Sequence, residues 1–577
     1  MAIDSKALLL RQLDQWHAEY SPEHKMVRKP FRTPGYHSTL KDVAYTHPTR
    51  DALVYALALL DSGVQEHVQR ASEIIEKVIG LQDQNPESRT YGIWSWFLEE
   101  PLAMMAPPDW NWADFCGKRL VLAAQRHAGV LDSALQEQIR QALFCACGAI
   151  IKRDVGPGYT NIAIMGAFVT LLTGEVYGHQ SYADYGLERL RKFSRYTKEL
   201  GTFQEYNSPT YTIIAIEELS SIHTSVSHAE AKELSAELLD VAWRMLAEHF
   251  HVPSKQWSGP HSRSYSTVMT PASYSFLQLA SRGALAMLAE EQLVYNLDWY
   301  GNDIQCPEPY LPAFREEVFL KTIRQPIAKD ESGAALNTAT TYLNGPLSLG
   351  TYSKDVMWNQ RRNLLAYIAE GEDRFSYVHL RFLRDGYDYS SAVFTSVQEE
   401  SEVLFGIGFC TNGGNTHIGL DPIDGTVDAA DLRLRFEIGG SLERVEEEAL
   451  ADDAEAATVH IAGHAMTVRT LFAAFDGERP RWELTRDGQK LCLDYVVYSG
   501  SDSGSSERKT FDFRTMEQAL LLFALRFSVG AGGPLDATAM ISGTEALAES
   551  KTRSGAVLQL ALPLKPGEKR DMMRPRT

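Results

Sequence analysis

The sequence predicts an α+β multidomain chain, an N-terminal toroid of helical hairpins followed by a C-terminal antiparallel β-sandwich. Three observations carry that expectation. Apolar residues recur at helical spacing, one helix after another, through about residue 300. Beyond Leu336 the period changes to two, with runs of strand length separated by Gly, Asn and Asp clusters. Between them, residues 306–337 hold four prolines and little periodicity, the signature of a bridge. The predicted domains are therefore 1–305, a linker at 306–337, and 338–577.

Taken in order, Leu8 to Trp16 is an amphipathic helix. Thr49 is expected to cap a helix over Asp51 to Leu60 that Gly63 ends, and Val64 to Ile79 carries its own apolar face. Further helical patterns cover Leu131–Ile151, Ile162–Leu172, Ala183–Lys198, Tyr211–His223, His228–Phe250 and Tyr274–Leu293. So many helices of similar length, with long loops between them, suit a toroid better than a compact bundle. The predicted strands are Ala339–Leu343, Leu347–Tyr352, Asn363–Glu370, Ser391–Ser396, Val403–Cys410, Leu432–Ile438, Thr458–Ile461, Leu491–Val497 and Val557–Leu562. The cluster from Thr411 to Asn415 reads as a turn, and the acidic run Glu443–Glu455 as a solvated loop or short helix.

Composition narrows the function classes. At 577 residues the chain is too long for one ordinary core. With 44% hydrophobic and 23% charged residues it reads as globular, and no apolar run is taken to approach the roughly 20 residues of a membrane helix. The first residues lack a signal-peptide core, so a cytoplasmic location is expected, with a secreted mature form as the alternative. A net charge of -19 disfavours nucleic acid and anionic membranes as partners, while a local basic cleft could still hold an anionic glycan. The six cysteines are scattered; Cys145 and Cys147, two apart in a helix, do not share a face and read as reduced core residues. The histidines show no metal-ligand spacing, so neither a metal nor another cofactor is expected.

The chemistry concentrates in a few stretches. Gly201–Tyr211, Gly-Thr-Phe-Gln-Glu-Tyr-Asn-Ser-Pro-Thr-Tyr, places Glu205, Tyr206, Asn207 and Tyr211 in a loop between helices. A mere connector has little use for two phenols and a carboxylate, although a buried turn with Asn207 as a cap is the bland reading. Tyr91–Phe115 holds Trp94, Trp96, Trp110 and Trp112 among prolines, and flat aromatic faces in loops suit sugar rings. Gly156–Gly166 opens a helix with Asn161 in its first turn, either a cap or an amide donor. Trp257–Tyr265 sets His261, Arg263 and Tyr265 on alternate residues, on one side if the segment is extended. Trp358–Asn363 reads as a strand edge, or else as a second wall of a binding cleft.

The order of these pieces resembles the polysaccharide lyases of the hyaluronate, chondroitin AC and xanthan lyase type. A Trp-rich loop comes first, then an asparagine at a helix start, a Gly-Thr-Phe loop with tyrosines, a Gly-x-x-Ser-Arg loop and sheet sandwiches. The resemblance implies an incomplete α/α toroid, a β-sandwich, and cleavage of a uronate-containing glycan by β-elimination. It implies Trp94 and Trp96 as the aromatic patch, Asn161 as the carboxylate-binding asparagine, Tyr211 as the catalytic tyrosine and Arg263 as the loop arginine. Where that family has a histidine shortly before the tyrosine, this chain has Tyr206 or Asn207. Asn161 and Arg263 would neutralise the uronate so that the adjacent proton becomes removable, and Tyr211 would take it, with Tyr206 or His261 assisting its return. Two rival readings stand beside this one. A glycosidase would pair Glu205 with Glu99, Glu100 or Glu175, and a carbohydrate-binding protein would use the aromatic loops without chemistry. The sequence leaves oligomeric state open.

Overall fold

The computed structural model describes residues 4–31, 37–371, 373–414, 425–451, 454–500 and 507–574. Asn415, Asp452 and Asp453, within two of the predicted loops, lie outside these residues, as do the first three positions. Two compact units divide the chain. A helical unit comprises Met1–Glu205, Tyr211–Met245 and Thr270–Leu311, and a β unit comprises Tyr206–Thr210, Leu246–Met269 and Pro312–Thr577. The β unit thus takes two segments from within the predicted N-terminal domain.

The helical unit contains α1 (Ser5–His17), α2 (Thr49–Asp61), α3 (Gln65–Ile79), α4 (Trp112–His127), α5 (Ser133–Arg153), α6 (Thr160–Tyr177), α7 (Gln180–Leu200), α8 (Tyr211–Ser225), α9 (Ala229–His249) and α10 (Pro271–Ala280). Packing sorts them into two rings. α2, α4, α6 and α8 touch in succession, while α3, α5 and α7 each fold back on the helix before them. The inner helices are buried nearly all round, α6 without a break from Thr160 to Gly174. By contrast, α3 buries only Ala71, Ile74, Ile75, Val78 and Ile79, a single stripe. This is an incomplete α/α toroid. In such a winding the inner helices run parallel, so their N-termini gather at one end.

Several expectations need correction. Thr49 is the first residue of α2 rather than its cap, and its hydroxyl donates 2.7 Å to the carbonyl of Ser95. α4 begins inside the Trp-rich stretch expected to be loop. α10 stops at Ala280, because Arg282 and Gly283 take positive φ and turn the chain. α6 is long and apolar enough to cross a membrane by length and composition, contrary to the sequence reading, but it is an inner helix of the toroid and 83% buried.

Among the described residues of the β unit, a nine-stranded and a seven-stranded antiparallel sheet share one core. Leu349, Val378, Phe382, Phe436 and Leu493 from one sheet meet Phe394, Phe405, Met466 and Phe523 from the other. A third sheet of Ala537–Ser542, Glu545–Lys551 and Val557–Pro563 covers the outer face of the seven-stranded sheet at Leu520, Leu522 and Ala524. Lys321–Lys329 is a strand inside the predicted linker, paired with Ala335–Asn344 and disguised by Pro326 at a register shift. Within the predicted acidic loop, Val445–Glu447 is a short strand paired with Ala456–Ile461. Trp358–Asn363 is a loop rather than a strand edge.

Candidate active site

In the helical unit the site is built from helix beginnings. The Trp112 indole donates 2.9 Å to the Thr49 hydroxyl, joining the first residues of α4 and α2. Asn111, just before α4, donates 3.2 Å to the Tyr159 hydroxyl just before α6, and accepts from Arg153 at 2.5 Å. The backbone N–H of Asn161 donates 3.2 Å to Glu205 Oε2, and the N–H of Glu205 donates 3.2 Å to the Thr160 hydroxyl. That reciprocal pair performs for α6 what a capping box does within one helix, since its own N-cap residue Tyr159 makes no side-chain cap. Tyr211, the half-buried first residue of α8, follows six residues after Glu205. The positive ends of inner helices therefore line one rim, an arrangement that favours anions.

On this rim Asn161 is 2% exposed and its Oδ1 has no hydrogen-bond partner among the described residues. A buried carboxamide left unpaired costs about 1–3 kcal/mol and calls for an explanation. The tryptophans separate into different roles. Trp96 and Trp112 are half-buried and stacked on each other, centroids 5.0 Å apart, with Trp96 anchored to Asp109 at 3.2 Å. Trp110 lies under the Arg89 guanidinium, 5.8 Å from its ring centre. Trp94, expected in the sugar platform, is instead wholly buried with its indole N–H on the Val78 carbonyl at 2.9 Å. It is a core residue because its strand-like turn packs inward against α3.

Deeper in the same unit lie charges that sequence reasoning missed. Lys118 of α4 is fully buried and bonds both Glu217 at 2.6 Å and Glu218 at 2.5 Å on α8. Arg119 pairs with Asp298. Burial raises Asp114 to about 7, and burial likewise raises Glu218. α4 was not read as a helix from the sequence, and on the predicted helix Tyr211–His223 the adjacent Glu217 and Glu218 look like surface positions.

The β unit holds the remaining candidates. The Tyr206 hydroxyl and His249 Nε2 are 2.7 Å apart, both groups buried. Burial pushes the Tyr206 phenol well above its ordinary value, so it stays protonated. His249 was not foreseen; in the last turn of a helical pattern it reads as an ordinary C-terminal basic residue. Asn207, expected at the substrate, is fully engaged. Its Nδ2 donates to the carbonyls of Ser258 (2.7 Å) and Pro260 (2.9 Å), its Oδ1 accepts from Trp257 at 2.5 Å, and it sits at φ +47°. His261 Nδ1 donates 2.7 Å to the Asn207 carbonyl. Burial lowers His261 to about 3, which leaves it neutral and makes it a brace for the loop rather than a proton shuttle.

Arg263 is half-buried, donates 3.1 Å to Gln360 and lies 5.5 Å over the Trp358 ring. Tyr265 is 63% exposed while His261 is 1% exposed, so the alternate residues do not share a face. The reason is the pairing of His261 with Arg362, which draws the start of the segment inward. The Trp358–Asn363 loop thus packs on the Arg263 loop within the β unit, with Arg361 donating 2.8 Å to the Ser262 carbonyl.

Among the described residues no cluster of histidine, cysteine, aspartate and glutamate could hold a metal ion. All six cysteines are free and buried.

Comparison with known proteins gives a domain family of unknown function, DUF8769, matching residues 29–294. No curated protein matches. Solved structures to which the chain is similar include a heparinase III, 12% identical over 97% of this chain and 91% of that one, TM-score 0.48. Another is the chondroitin AC lyase of Streptomyces coelicolor A3 in complex with chondroitin sulphate, 9% identical over 97% and 94%, TM-score 0.42. A third is a heparan sulfate lyase mutant from Pedobacter heparinus, 9% identical over 97% and 94%, TM-score 0.33.

Proposed function

We propose that this chain is a lyase that cleaves a uronate-containing, anionic poly- or oligosaccharide by β-elimination. The observation that carries the reading is Asn161, a buried side chain on a rim of positive helix ends whose Oδ1 has no partner among the described residues. Removing a proton beside a carboxylate builds further negative charge on it, and amide donors aimed at that charge stabilise the enediolate-like intermediate. Asn161 would take the carboxylate. Tyr211 would remove the proton, at a helix start where the macrodipole favours negative charge on its oxygen. It would then return a proton to the departing glycosidic oxygen. Arg263 is the candidate cation, and Tyr206, protonated and bonded to His249, is a candidate donor rather than a base.

Hydrolysis has less support. The candidate partners of Glu205 are committed elsewhere: Glu99 to His47, Glu100 to Thr39, and Glu175 to the N–H groups of Ser227 and His228 ahead of α9. The test is ultraviolet absorbance during incubation with a panel of uronic-acid glycans and their oligosaccharides. A rise with the wild type and none with Tyr211→Phe is the expected outcome. New reducing ends without absorbance would replace elimination by hydrolysis.

A further inference from the structure

The unpartnered Asn161 amide is surrounded by an unusually constrained backbone. On one side the Glu205 carboxylate accepts the Asn161 N–H, and the Glu205 N–H is returned to Thr160. On the other side Arg189, reaching in from the outer helix α7, donates 3.1 Å to the carbonyl of Ile162 and 3.0 Å to that of Ala163. Its third arm donates 3.0 Å to the Tyr185 hydroxyl, which in turn donates 2.8 Å to Asp154. Both clamping side chains are buried, Arg189 at 5% and Glu205 at 7% exposure.

A helix does not require this. The carbonyls of Ile162 and Ala163 already accept within α6, so a buried guanidinium spent on them is additional to the fold's own hydrogen bonding. Space has also been cleared for it. A Cβ at Gly166 would stand 2.9 Å from Arg189 Nη2 and 2.8 Å from Asp114 Oδ1. The grip falls on the N–H of Asn161 and on the carbonyls of the next two residues, while Asn161 Oδ1 has no partner among the described residues.

We propose that Glu205 and Arg189 are positioning residues that fix the first turn of α6, and so hold the Asn161 carboxamide in one orientation for an incoming carboxylate. Glu205 then acts through the backbone of Asn161 and not as an acid or base. The inference rests on the reading that Asn161 receives the substrate, and the experiment separates the two.

Glu205→Ala, Glu205→Gln and Arg189→Met are each made alone and together with Asn161→Ala, and kcat, KM and Tm are measured on the glycan that gives the ultraviolet signal. Glu205→Ala and Arg189→Met should lower kcat between about ten- and a hundredfold, the scale of a misplaced catalytic group. Glu205→Gln, which keeps an acceptor oxygen, should restore most of the turnover. In the Asn161→Ala background neither clamp variant should lower kcat further. Additive losses in that background would overturn the proposal while leaving the lyase reading intact. Wild-type turnover in Asn161→Ala alone would instead remove Asn161 from the chemistry and the clamp's role with it. A crystal structure of Glu205→Ala is the readout that needs no activity. Asn161 should lose its single side-chain conformation there, and an unmoved Asn161 would overturn the proposal.

Discussion

Two asparagines, one in each unit, are both at least 98% buried and could hardly differ more. Asn207 in the β unit has every polar side-chain atom engaged, two donations to carbonyls and one acceptance from an indole, at a left-handed φ. Asn161 in the helical unit has its backbone gripped and its side chain unpartnered. The sequence offered both as residues of the site, with a helix cap as the bland reading of each. What separates them is saturation: an amide whose bonds are all made within the chain is architecture, and one left unpaired inside a tight site is available for a ligand.

Substitution should break the pair in opposite directions. Asn161→Ala forfeits no side-chain hydrogen bond, so its unfolding free energy should move by less than about 1 kcal/mol. Its turnover should fall by about 10²- to 10³-fold, the loss of one donor to a developing anion. Asn207→Ala strands two carbonyls and the Trp257 N–H in a buried site and puts alanine at positive φ. It should cost about 3 kcal/mol or more, with activity lost only in proportion to the unfolded fraction. Chemical denaturation beside the ultraviolet assay measures both. If Asn161→Ala were the less stable of the two, saturation would not be the distinction.

The same contrast explains what could be read in the sequence. Outer helices and one-sided strands were legible because burial on one face writes a period into the residues, as in α3 or Val557–Pro563. Ala519–Val529 was not, because it faces the sandwich core on one side and the third sheet on the other, which erases the alternation. α4 was hidden by its opening tryptophan, which follows a run of prolines. In the site, Asn161 and Glu205 were visible as motif residues. That Glu205 caps the helix of Asn161 is a tertiary fact with no local signature. Arg189 was invisible for a related reason: an arginine on an amphipathic outer helix looks solvated, and only the winding of the toroid shows that it points inward.

The surroundings of His251 and His261 and those of Asp114 should also answer pH with opposite signs. His261 titrates near 3 and His251 near 4, both lowered by burial from an ordinary 6.5. The unfolded chain takes up these protons first, so their contribution is complete above about 6.5 and drains as pH falls. Asp114 is raised to about 7 from 3.8, so the folded state keeps a proton that the unfolded chain has released. Its contribution is complete below about 3.8 and is lost as pH rises through 7. Each tenfold change in proton affinity between the folded and unfolded chain is worth roughly 1.4 kcal/mol. Between pH 5 and 7, hydrogen exchange corrected for intrinsic rates should show peptides around His251 and His261 gaining protection. Peptides of α4 and α6 should lose it, and Asp114→Asn should flatten that loss. A common sign in both sets of peptides would break the comparison.

The smallest expected effect applies the same rule to tryptophan. Trp94 is saturated, its N–H on Val78 and its ring wholly enclosed, whereas Trp96 is half-buried on the rim and shares a stack with Trp112. Trp94→Phe removes a buried hydrogen bond and leaves a gap, so Tm should fall while KM stays unchanged. Trp96→Ala removes an aromatic face of the kind on which sugar rings pack, a contribution of about 0.5–1.5 kcal/mol. KM for the oligosaccharide should rise by about three- to tenfold with kcat little altered, because such a contact is made equally in the ground and transition states. A fall in kcat at constant KM would instead mean that the Trp96–Trp112 stack positions the first turns of α2 and α4, and that the ring belongs to the framework as Trp94 does.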